Sequence, residues 1–242
     1  MFLIFAKGEI IHIMAGLIIL GGGGEFQKGN EQADQHALQQ AGGANASVLI
    51  VPTAGGADGG IPMASRNGVN WFRSLGAEKV EALPLANRAE ADQPELAARL
   101  TGANLIYMAG GNPAYLLEAL KGSACWAAMR EALANGAVVG GASAGAMVLM
   151  EHLYDPEGGQ VRPGLGIIPN AIFAPHFNSF GRKWVSKIQT ALPQALLIGV
   201  DEKVSIIGRG NDWQVYGRGW ITIYRQGKPY KYQGGQPFKL VP

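Results

Sequence analysis

The chain has 242 residues, of which 48% are hydrophobic and 16% charged, so it can build a sizeable core and is not expected to be disordered. Its 20 basic and 18 acidic residues give a formal charge of +2 without any basic run, which argues against a nucleic-acid partner. The single cysteine, Cys125, excludes an internal disulfide and a cysteine-based metal site. We therefore expect a cytoplasmic protein with neither a metal nor another cofactor.

Residues 1–15 form an N-terminal extension whose structure the sequence does not decide. Their apolar run is interrupted by Lys7 and Glu9, so they lack the charge-then-apolar order of a secretory signal peptide. They fit an additional edge strand or a loose tail, and Met14 is a second candidate for the start of the functional chain. The remaining residues, 16–242, contain neither an internal repeat nor a linker and are predicted to be a single domain. No stretch approaches the ~20 apolar residues of a membrane-spanning helix, so a membrane partner is not expected.

Apolar runs typical of buried strands alternate with helix-like segments, a pattern that indicates a parallel sheet covered by helices. The predicted strands are 17–20, 47–51, 79–83, 104–108, 138–139 and 195–200. The predicted helices are 30–41, 62–75, 91–100, 113–120, 124–134, 146–150 and 182–192. Residues 154–166 are predicted to be a loop, and residues 203–230 to be antiparallel strands at one edge. The pattern predicts a three-layer α/β fold with a mostly parallel sheet flanked by helices and an antiparallel C-terminal edge.

A short segment between the strand at 138–139 and the following helix matches the G-x-S-x-G pattern of a nucleophile elbow. It runs from Gly141 through Ser143 to Gly145. In such an elbow a strained turn exposes the serine hydroxyl, and the flanking glycines relieve crowding. The alternative is a glycine-rich turn with an incidental serine, since short patterns also arise by chance. The context predicts Ser143 as a nucleophile.

A serine hydroxyl needs a base to accept its proton, and the chain has four histidines. His12 lies in the N-terminal extension, and His36 lies in a polar helix expected at the surface. On one helix running through both residues, His152 would lie about 13 Å from Ser143. His176 follows an apolar run, and active-site residues of parallel α/β sheets gather at the carboxyl ends of strands. His176 is therefore the predicted base, and a packed histidine without a catalytic role is the alternative.

A carboxylate is then needed to hold the imidazole in its productive tautomer. Asp201 and Glu202 directly follow the predicted strand 195–200. Because adjacent strand residues face opposite ways, only one of the two is expected to reach the histidine. Asp155 and Glu157, which follow the predicted elbow helix, are the alternatives. The residues alone leave this choice open.

An acyl-transfer site also needs N–H groups that bind the oxyanion. The N–H of Ala144, at the start of the elbow helix, is one candidate. The other is the N–H of Gly111 or its neighbour Gly110, after the fourth predicted strand.

The glycine run at 21–24 lacks the G-x-G-x-x-G spacing of a dinucleotide site, and no acidic residue for a ribose ends the next strand. A nicotinamide-dependent enzyme is therefore not expected.

Five segments occur in the order found in cyanophycinase and dipeptidase E, a family of serine peptidases, and the chain resembles that family over about residues 16–225. The segments are 19–24, 108–112, 141–146, 176–182 and 198–202. The resemblance implies the class I glutamine amidotransferase-like fold. It implies Ser143 as nucleophile, His176 as base and Glu202 as the third member of a triad. It also implies that a Gly-Gly turn such as 110–111 contributes to the oxyanion hole.

The chain departs from this family at positions that hold the substrate. Residues 174–175 are Ala-Pro where the family has Asp-Gln, and Arg182 alone remains of several arginines after the histidine. Asn112 begins the pair that replaces two polar residues after the Gly-Gly turn. The resemblance assigns substrate binding to Asn112 and Arg182 and implies hydrolysis of a peptide or isopeptide bond through an acyl-serine intermediate. The missing charges argue against cyanophycin itself as the substrate.

The predicted partner is a small peptide or isopeptide substrate, and a homodimer is left open. Two other functions fit the same fold. A glutamine amidotransferase normally carries a cysteine at the elbow, whereas Cys125 lies eighteen residues before Ser143 in a predicted helix. A non-catalytic relative that binds a small molecule or a partner is the second alternative.

Overall fold

The computed structural model describes residues 4–6, 9–11 and 15–241. In that part of the chain the strands are β1 (Ile4–Ala6), β2 (Glu9–Ile11), β3 (Leu17–Gly21), β4 (Ser47–Val51), β5 (Lys79–Ala82), β6 (Leu105–Met108), β7 (Val138–Ala142), β8 (Met150–Asp155), β9 (Gln160–Pro163), β10 (Ile168–Ala174), β11 (Leu196–Val200), β12 (Val204–Arg209), β13 (Asp212–Gly217), β14 (Trp220–Arg225), β15 (Lys228–Gln233) and β16 (Pro237–Lys239). The helices are α1 (Glu31–Gln40), α2 (Ile61–Ser74), α3 (Arg88–Ala91), α4 (Pro94–Thr101), α5 (Pro113–Leu120), α6 (Ala124–Ala134), α7 (Ala144–Met147) and α8 (Val185–Ala191). Short 3-10 helices lie at Gly43–Asn45, Thr53–Asp58 and Gly181–Trp184.

The N-terminal strands β1 and β2 pair with each other in antiparallel fashion and form a two-stranded sheet of their own. The alternative start at Met14 lies outside the described residues.

The largest sheet has eight strands in the order β16-β13-β12-β3-β7-β6-β4-β5. Five adjacent strands run parallel, namely β3, β7, β6, β4 and β5. The three strands at the other edge, β12, β13 and β16, are antiparallel. The central strands are continuous apolar runs, as parallel strands must be when both faces are covered. The predicted parallel sheet with an antiparallel C-terminal edge is confirmed.

Both faces of this sheet are packed by helices, which makes the fold three-layered. In β4, Leu49 belongs to a buried cluster that includes Leu116 of α5. The adjacent Val48 belongs to a second cluster that includes Phe72 of α2. Because side chains alternate along a strand, neighbouring residues contribute to the two layers in turn. None of the helices in the described ranges combines the length and apolarity needed to cross a membrane.

A second sheet, which the sequence does not predict, has six strands in the order β15-β14-β11-β10-β8-β9. Its central strands β8, β10 and β11 are parallel. Three sequence predictions are wrong here. Residues 203–230 are predicted at one edge of the parallel sheet, but β14 and β15 belong to this second sheet. The helix predicted at 146–150 ends at Met147, and the loop predicted at 154–166 contains the end of β8 and its antiparallel partner β9. A short apolar run without a clear period does not distinguish a buried helix from a buried strand.

Candidate active site

Ser143 lies in the turn between β7 and α7 with φ 50° and ψ −115°, a backbone conformation that residues other than glycine rarely adopt. The turn is held by the Ser143 N–H, which donates to Gly21 O at 2.9 Å. A Cβ at Gly141 or Gly145 would lie 2.0 or 2.3 Å from the carbonyl oxygen of Met108. Both glycines of the pattern are therefore required, because the backbone of β6 approaches the turn closely.

Three side chains from distant parts of the sequence meet beside this turn. Ser143 Oγ lies 3.0 Å from His176 Nε2, and His176 Nδ1 lies 2.7 Å from Glu202 Oε1. With the proton on Nδ1, the imidazole donates to the carboxylate, and Nε2 accepts from the serine hydroxyl. Ser143 follows β7, His176 follows β10 and Glu202 follows β11, each beyond the carboxyl end of a parallel strand.

The other carboxylates considered from the sequence have different partners. Asp201 accepts the backbone N–H at the start of β14 at 3.0 Å. Asp155 is buried and accepts two backbone N–H groups of its own turn at 3.1 Å. Glu157 accepts from Asn112 Nδ2 at 2.9 Å. Within the described residues, Glu202 is the carboxylate that contacts the imidazole.

The glycine run after β3 lies against this group of residues, a role that the sequence does not predict. Gly21 O accepts from Ser143 N–H at 2.9 Å, and Gly22 O accepts from His176 N–H at 2.7 Å. Gly23 has φ +116°, and a Cβ there would lie 2.3 Å from Cε1 of the imidazole. The glycines allow the backbones of several loops to converge. The sequence signal was four successive glycines after a buried strand without the spacing of a phosphate-binding loop.

Three of the six residues other than glycine with positive φ in the described part of the chain lie in the same place. Ser143 and His176 both have φ 50°, and Lys203, directly after Glu202, has φ 60°. Such conformations persist only where surrounding bonds hold them, and they cluster at functional sites. The Lys203 N–H donates to Gly23 O at 2.9 Å, so the glycine run also holds the loop that carries Glu202.

Two backbone N–H groups near Ser143 are candidates for binding an oxyanion. The N–H groups of Gly111 and Ala144 have no hydrogen-bond partner among residues 15–241. Gly111 has φ +142°, and a Cβ there would lie 2.4 Å from the backbone of Thr53–Asp58. The N–H of Gly110, in contrast, donates to Glu25 Oε1 at 2.8 Å. Of the two neighbouring glycines, Gly111 is thus the one whose N–H is available to a ligand.

A cleft of about 510 Å³ opens beside Ser143. Its lining is largely apolar and comprises Gly111, Pro113, Ser143, Met147, Pro156, Pro175, His176, Phe180 and Trp184. The Phe180 ring stacks on the His176 imidazole, with centroids 4.7 Å apart and planes inclined by 25°. The imidazole is therefore held between the glycine run and an aromatic ring.

The two residues predicted to bind substrate lie outside this lining. Asn112 Oδ1 accepts the N–H of Tyr115 and caps α5, while its Nδ2 binds Glu157. Arg182 is exposed, and its guanidinium carbon lies 5.5 Å from the centroid of the Phe177 ring. A substrate-binding role for Asn112 and Arg182 stays a prediction.

The single cysteine does not lie at the elbow, where an amidotransferase normally carries its cysteine. Cys125 lies on α6 and is fully buried in the core. Burial raises the pKa of its thiol to about 11, which disfavours the reactive thiolate. Within the described ranges, no group of three or more His, Cys, Asp or Glu side chains is placed to hold a metal ion.

Comparison with known proteins identifies the family. Residues 17–216 match the family model of peptidase family S51. A cyanophycinase of Synechococcus elongatus is 31% identical over 221 residues, which cover 86% of this chain and 67% of the relative. A cyanophycinase of Trichormus variabilis is 27% identical over 219 residues, which cover 85% of this chain and 72% of the relative.

Solved structures agree with this match. The crystal structure of a peptidase from an acI-B1 actinobacterium is 30% identical, with a TM-score of 0.83 over 94% of this chain and 98% of that one. A structure from Listeria monocytogenes EGD-e shares the fold at 19% identity, with a TM-score of 0.64 over 84% of this chain and 99% of that one. The predicted resemblance is confirmed: the chain belongs to peptidase family S51 and is a serine-type peptidase.

Proposed function

We propose that this peptidase cleaves a peptide or isopeptide bond of a small substrate by acyl transfer to Ser143, with His176 as base and Glu202 as the third member of a catalytic triad. The observation that carries the proposal is the unbroken series of contacts from Ser143 Oγ to His176 Nε2 at 3.0 Å and from His176 Nδ1 to Glu202 at 2.7 Å. These distances lie within the range over which a base accepts a proton.

In the first stage, Ser143 Oγ attacks the carbonyl carbon and His176 Nε2 accepts the hydroxyl proton. Glu202 stabilises the positive charge that develops on the imidazole. The N–H groups of Gly111 and Ala144 bind the oxygen that becomes negative. The C–N bond then breaks, and the imidazolium donates its proton to the leaving amine. The products of this stage are the acyl ester of Ser143 and the free amine.

In the second stage, a water molecule replaces the amine. His176 Nε2 removes a proton from the water as the water attacks the ester carbonyl, and the same N–H groups bind the second oxyanion. The ester bond breaks, the proton passes from the imidazolium to Ser143 Oγ, and the carboxylic acid product leaves. The histidine acts alternately as base and acid, and the enzyme returns to its starting state.

We also propose that residues 16–242 act as a single domain. Support comes from the core, because one buried cluster contains Leu49 and Met108 of the larger sheet together with Phe173 and Ile198 of the smaller sheet. The catalytic residues are divided in the same way. Ser143 follows a strand of the larger sheet, whereas His176 and Glu202 follow strands of the smaller sheet. Separation of the two sheets would therefore dismantle the site.

Labelling with a fluorophosphonate tests the proposal without knowledge of the substrate, since the reagent needs only an activated serine. The wild-type protein should be labelled, and peptide mapping should place the adduct on Ser143. Ser143→Ala should not be labelled, whereas Ser74→Ala, which alters an exposed serine at the end of α2, should behave as the wild type. A wild-type protein that stays unlabelled would instead indicate the non-catalytic alternative.

A further inference from the structure

The cleft beside Ser143 is bounded mainly by apolar side chains. They are Pro113, Met147, Pro156, Pro175, Phe180 and Trp184. Among the residues that the structure describes, the only polar side-chain groups in the lining are the Ser143 hydroxyl, the His176 imidazole and the indole N–H of Trp184. None of the described side chains in the lining carries a fixed charge. A substrate group that enters the cleft therefore meets apolar surface next to the reacting atoms.

Two aromatic rings form a preformed wall of this cleft. Phe180 stacks on His176 at 4.7 Å, and its centroid lies 5.6 Å from that of Trp184. Trp184 in turn packs on Tyr154 at 5.2 Å, which fixes the wall against the smaller sheet. Phe180 nevertheless remains 45% exposed. Exposed apolar surface that lines a cleft is typical of a ligand-binding site.

The charged side chains near the cleft lie outside its lining. Glu157 accepts a hydrogen bond from Asn112, Glu25 accepts one from the Gly110 N–H, and the Arg182 guanidinium lies over the Phe177 ring. An aspartyl carboxylate or an arginyl guanidinium in the cleft would lose water and find no charged partner in the lining, which is unfavourable. An apolar side chain would bury Phe180 at no such cost.

We propose that this cleft is a specificity pocket that selects peptides with an apolar side chain, such as leucine or phenylalanine, next to the scissile bond. The inference rests on the proposed function, because it assumes that Ser143 is the attacking group. Phe180 is the main specificity-determining residue, since it joins the imidazole to the exposed apolar wall. Substrates with a charged aspartyl or arginyl side chain at that position are disfavoured.

The test compares kcat/KM on matched dipeptides in which one residue is alanine and the other is leucine, phenylalanine, aspartate or arginine, in both orders. β-Aspartyl-arginine is added as a charged isopeptide. In at least one order, the leucine and phenylalanine dipeptides should exceed the charged dipeptides by about tenfold or more, a discrimination within reach of a single apolar pocket. Arginine is an informative member of the series, because its guanidinium could stack on Phe180.

Two variants at Phe180 separate specificity from overall activity. Phe180→Arg places a cation in the cleft and should lower the ratio of kcat/KM for leucine to that for aspartate by about tenfold or more. Phe180→Leu keeps the wall apolar and should preserve the ratio within about threefold, even if turnover changes on all substrates. The ratio is the readout because Phe180 also touches the imidazole, and an effect on the base influences both substrates alike.

Fluorophosphonate labelling of the same preparations distinguishes the two ways in which the account can fail. A protein that is not labelled at Ser143 contradicts the proposed function. A protein that is labelled at Ser143 but prefers aspartyl, arginyl or β-aspartyl-arginine substrates, or hydrolyses none of the apolar dipeptides, overturns the specificity inference alone. An unchanged leucine-to-aspartate ratio in Phe180→Arg would also overturn it.

Discussion

Adjacent residues at the end of β11 have different environments, although both are acidic. Glu202 contacts the imidazole at 2.7 Å, whereas Asp201 accepts a backbone N–H at the start of β14. The alternation of strand side chains suggested that only one would reach His176, but it could not say which one. Both residues lie beyond the end of the strand, so the conformation of the loop determines which carboxylate reaches His176. The prediction of Glu202 came from the family resemblance.

The proposed role of Glu202 leads to a prediction about the charge of its side chain. Glu202→Gln preserves the size of the side chain but removes the negative charge and can present an amide N–H to the imidazole. We expect kcat to fall by roughly two to four orders of magnitude with little change in KM, because the lost interaction strengthens as the imidazole becomes positive.

Asp201→Asn is the matched control, since the amide oxygen can still accept the N–H at the start of β14. It should retain kcat within about threefold. Steady-state kinetics on one good substrate measures both variants. A larger loss in Asp201→Asn than in Glu202→Gln would exclude the proposed role of Glu202.

At the scale of elements, the strand-forming runs were predicted well where burial on both faces makes them continuous and apolar. The segments of β3, β4, β6 and β11 were identified in this way. The one-turn helix α7 and the strand β8 were not separated, because the apolar residues from 146 to 150 have no distinguishing period. The pairing of β8 with β10, which builds the second sheet, joins residues distant in sequence and leaves no local signal.

The glycine run after β3 is an element whose role depends on close approach. Gly23→Ala should displace the imidazole, because the new Cβ would lie 2.3 Å from Cε1. A displacement of about 1 Å at the reacting atoms can lower kcat by about a hundredfold, so we expect at least that loss.

Gly24→Ala is the control for backbone strain. Gly24 also has positive φ, +66°, but its nearest neighbour is the flexible side chain of Gln27 at 3.1 Å. Both variants should lose some free energy of unfolding, and only Gly23→Ala should lose most of its kcat. Kinetics paired with thermal unfolding tests this, and equal activity in the two variants would argue against the close packing of Gly23 on His176.

For the whole molecule, one buried acid links stability to pH. Asp34 of α1 is fully buried, accepts from Trp71 Nε1 at 2.7 Å through Oδ2, and has no partner for Oδ1 among the described residues. Burial raises the pKa of this carboxyl from 3.8 to about 7. Between about pH 4 and pH 7 the folded protein therefore keeps a proton that the unfolded chain has lost, and this group lowers stability as pH rises through that range.

Asp34→Asn should remove this dependence. At about 1.4 kcal/mol per pKa unit, the penalty above pH 7 is on the order of 4 kcal/mol, and the amide oxygen can still accept from Trp71. The difference in free energy of unfolding between the variant and the wild type should grow in favour of the variant from pH 4 to pH 7 and then level off. Denaturant titrations across that range measure it. A difference that does not change with pH would show that Asp34 is ionised in the folded protein.

The most direct test of the account is whether a covalent acyl group forms on Ser143 during turnover. An activated aryl ester should acylate the enzyme faster than water removes the acyl group, so acid-quenched samples should contain intact protein heavier by one acyl group. Proteolysis and mass spectrometry should place that mass on Ser143, and Ser143→Ala should show neither the adduct nor turnover. Hydrolysis without an adduct, together with more than about a tenth of wild-type turnover in Ser143→Ala, would contradict the mechanism.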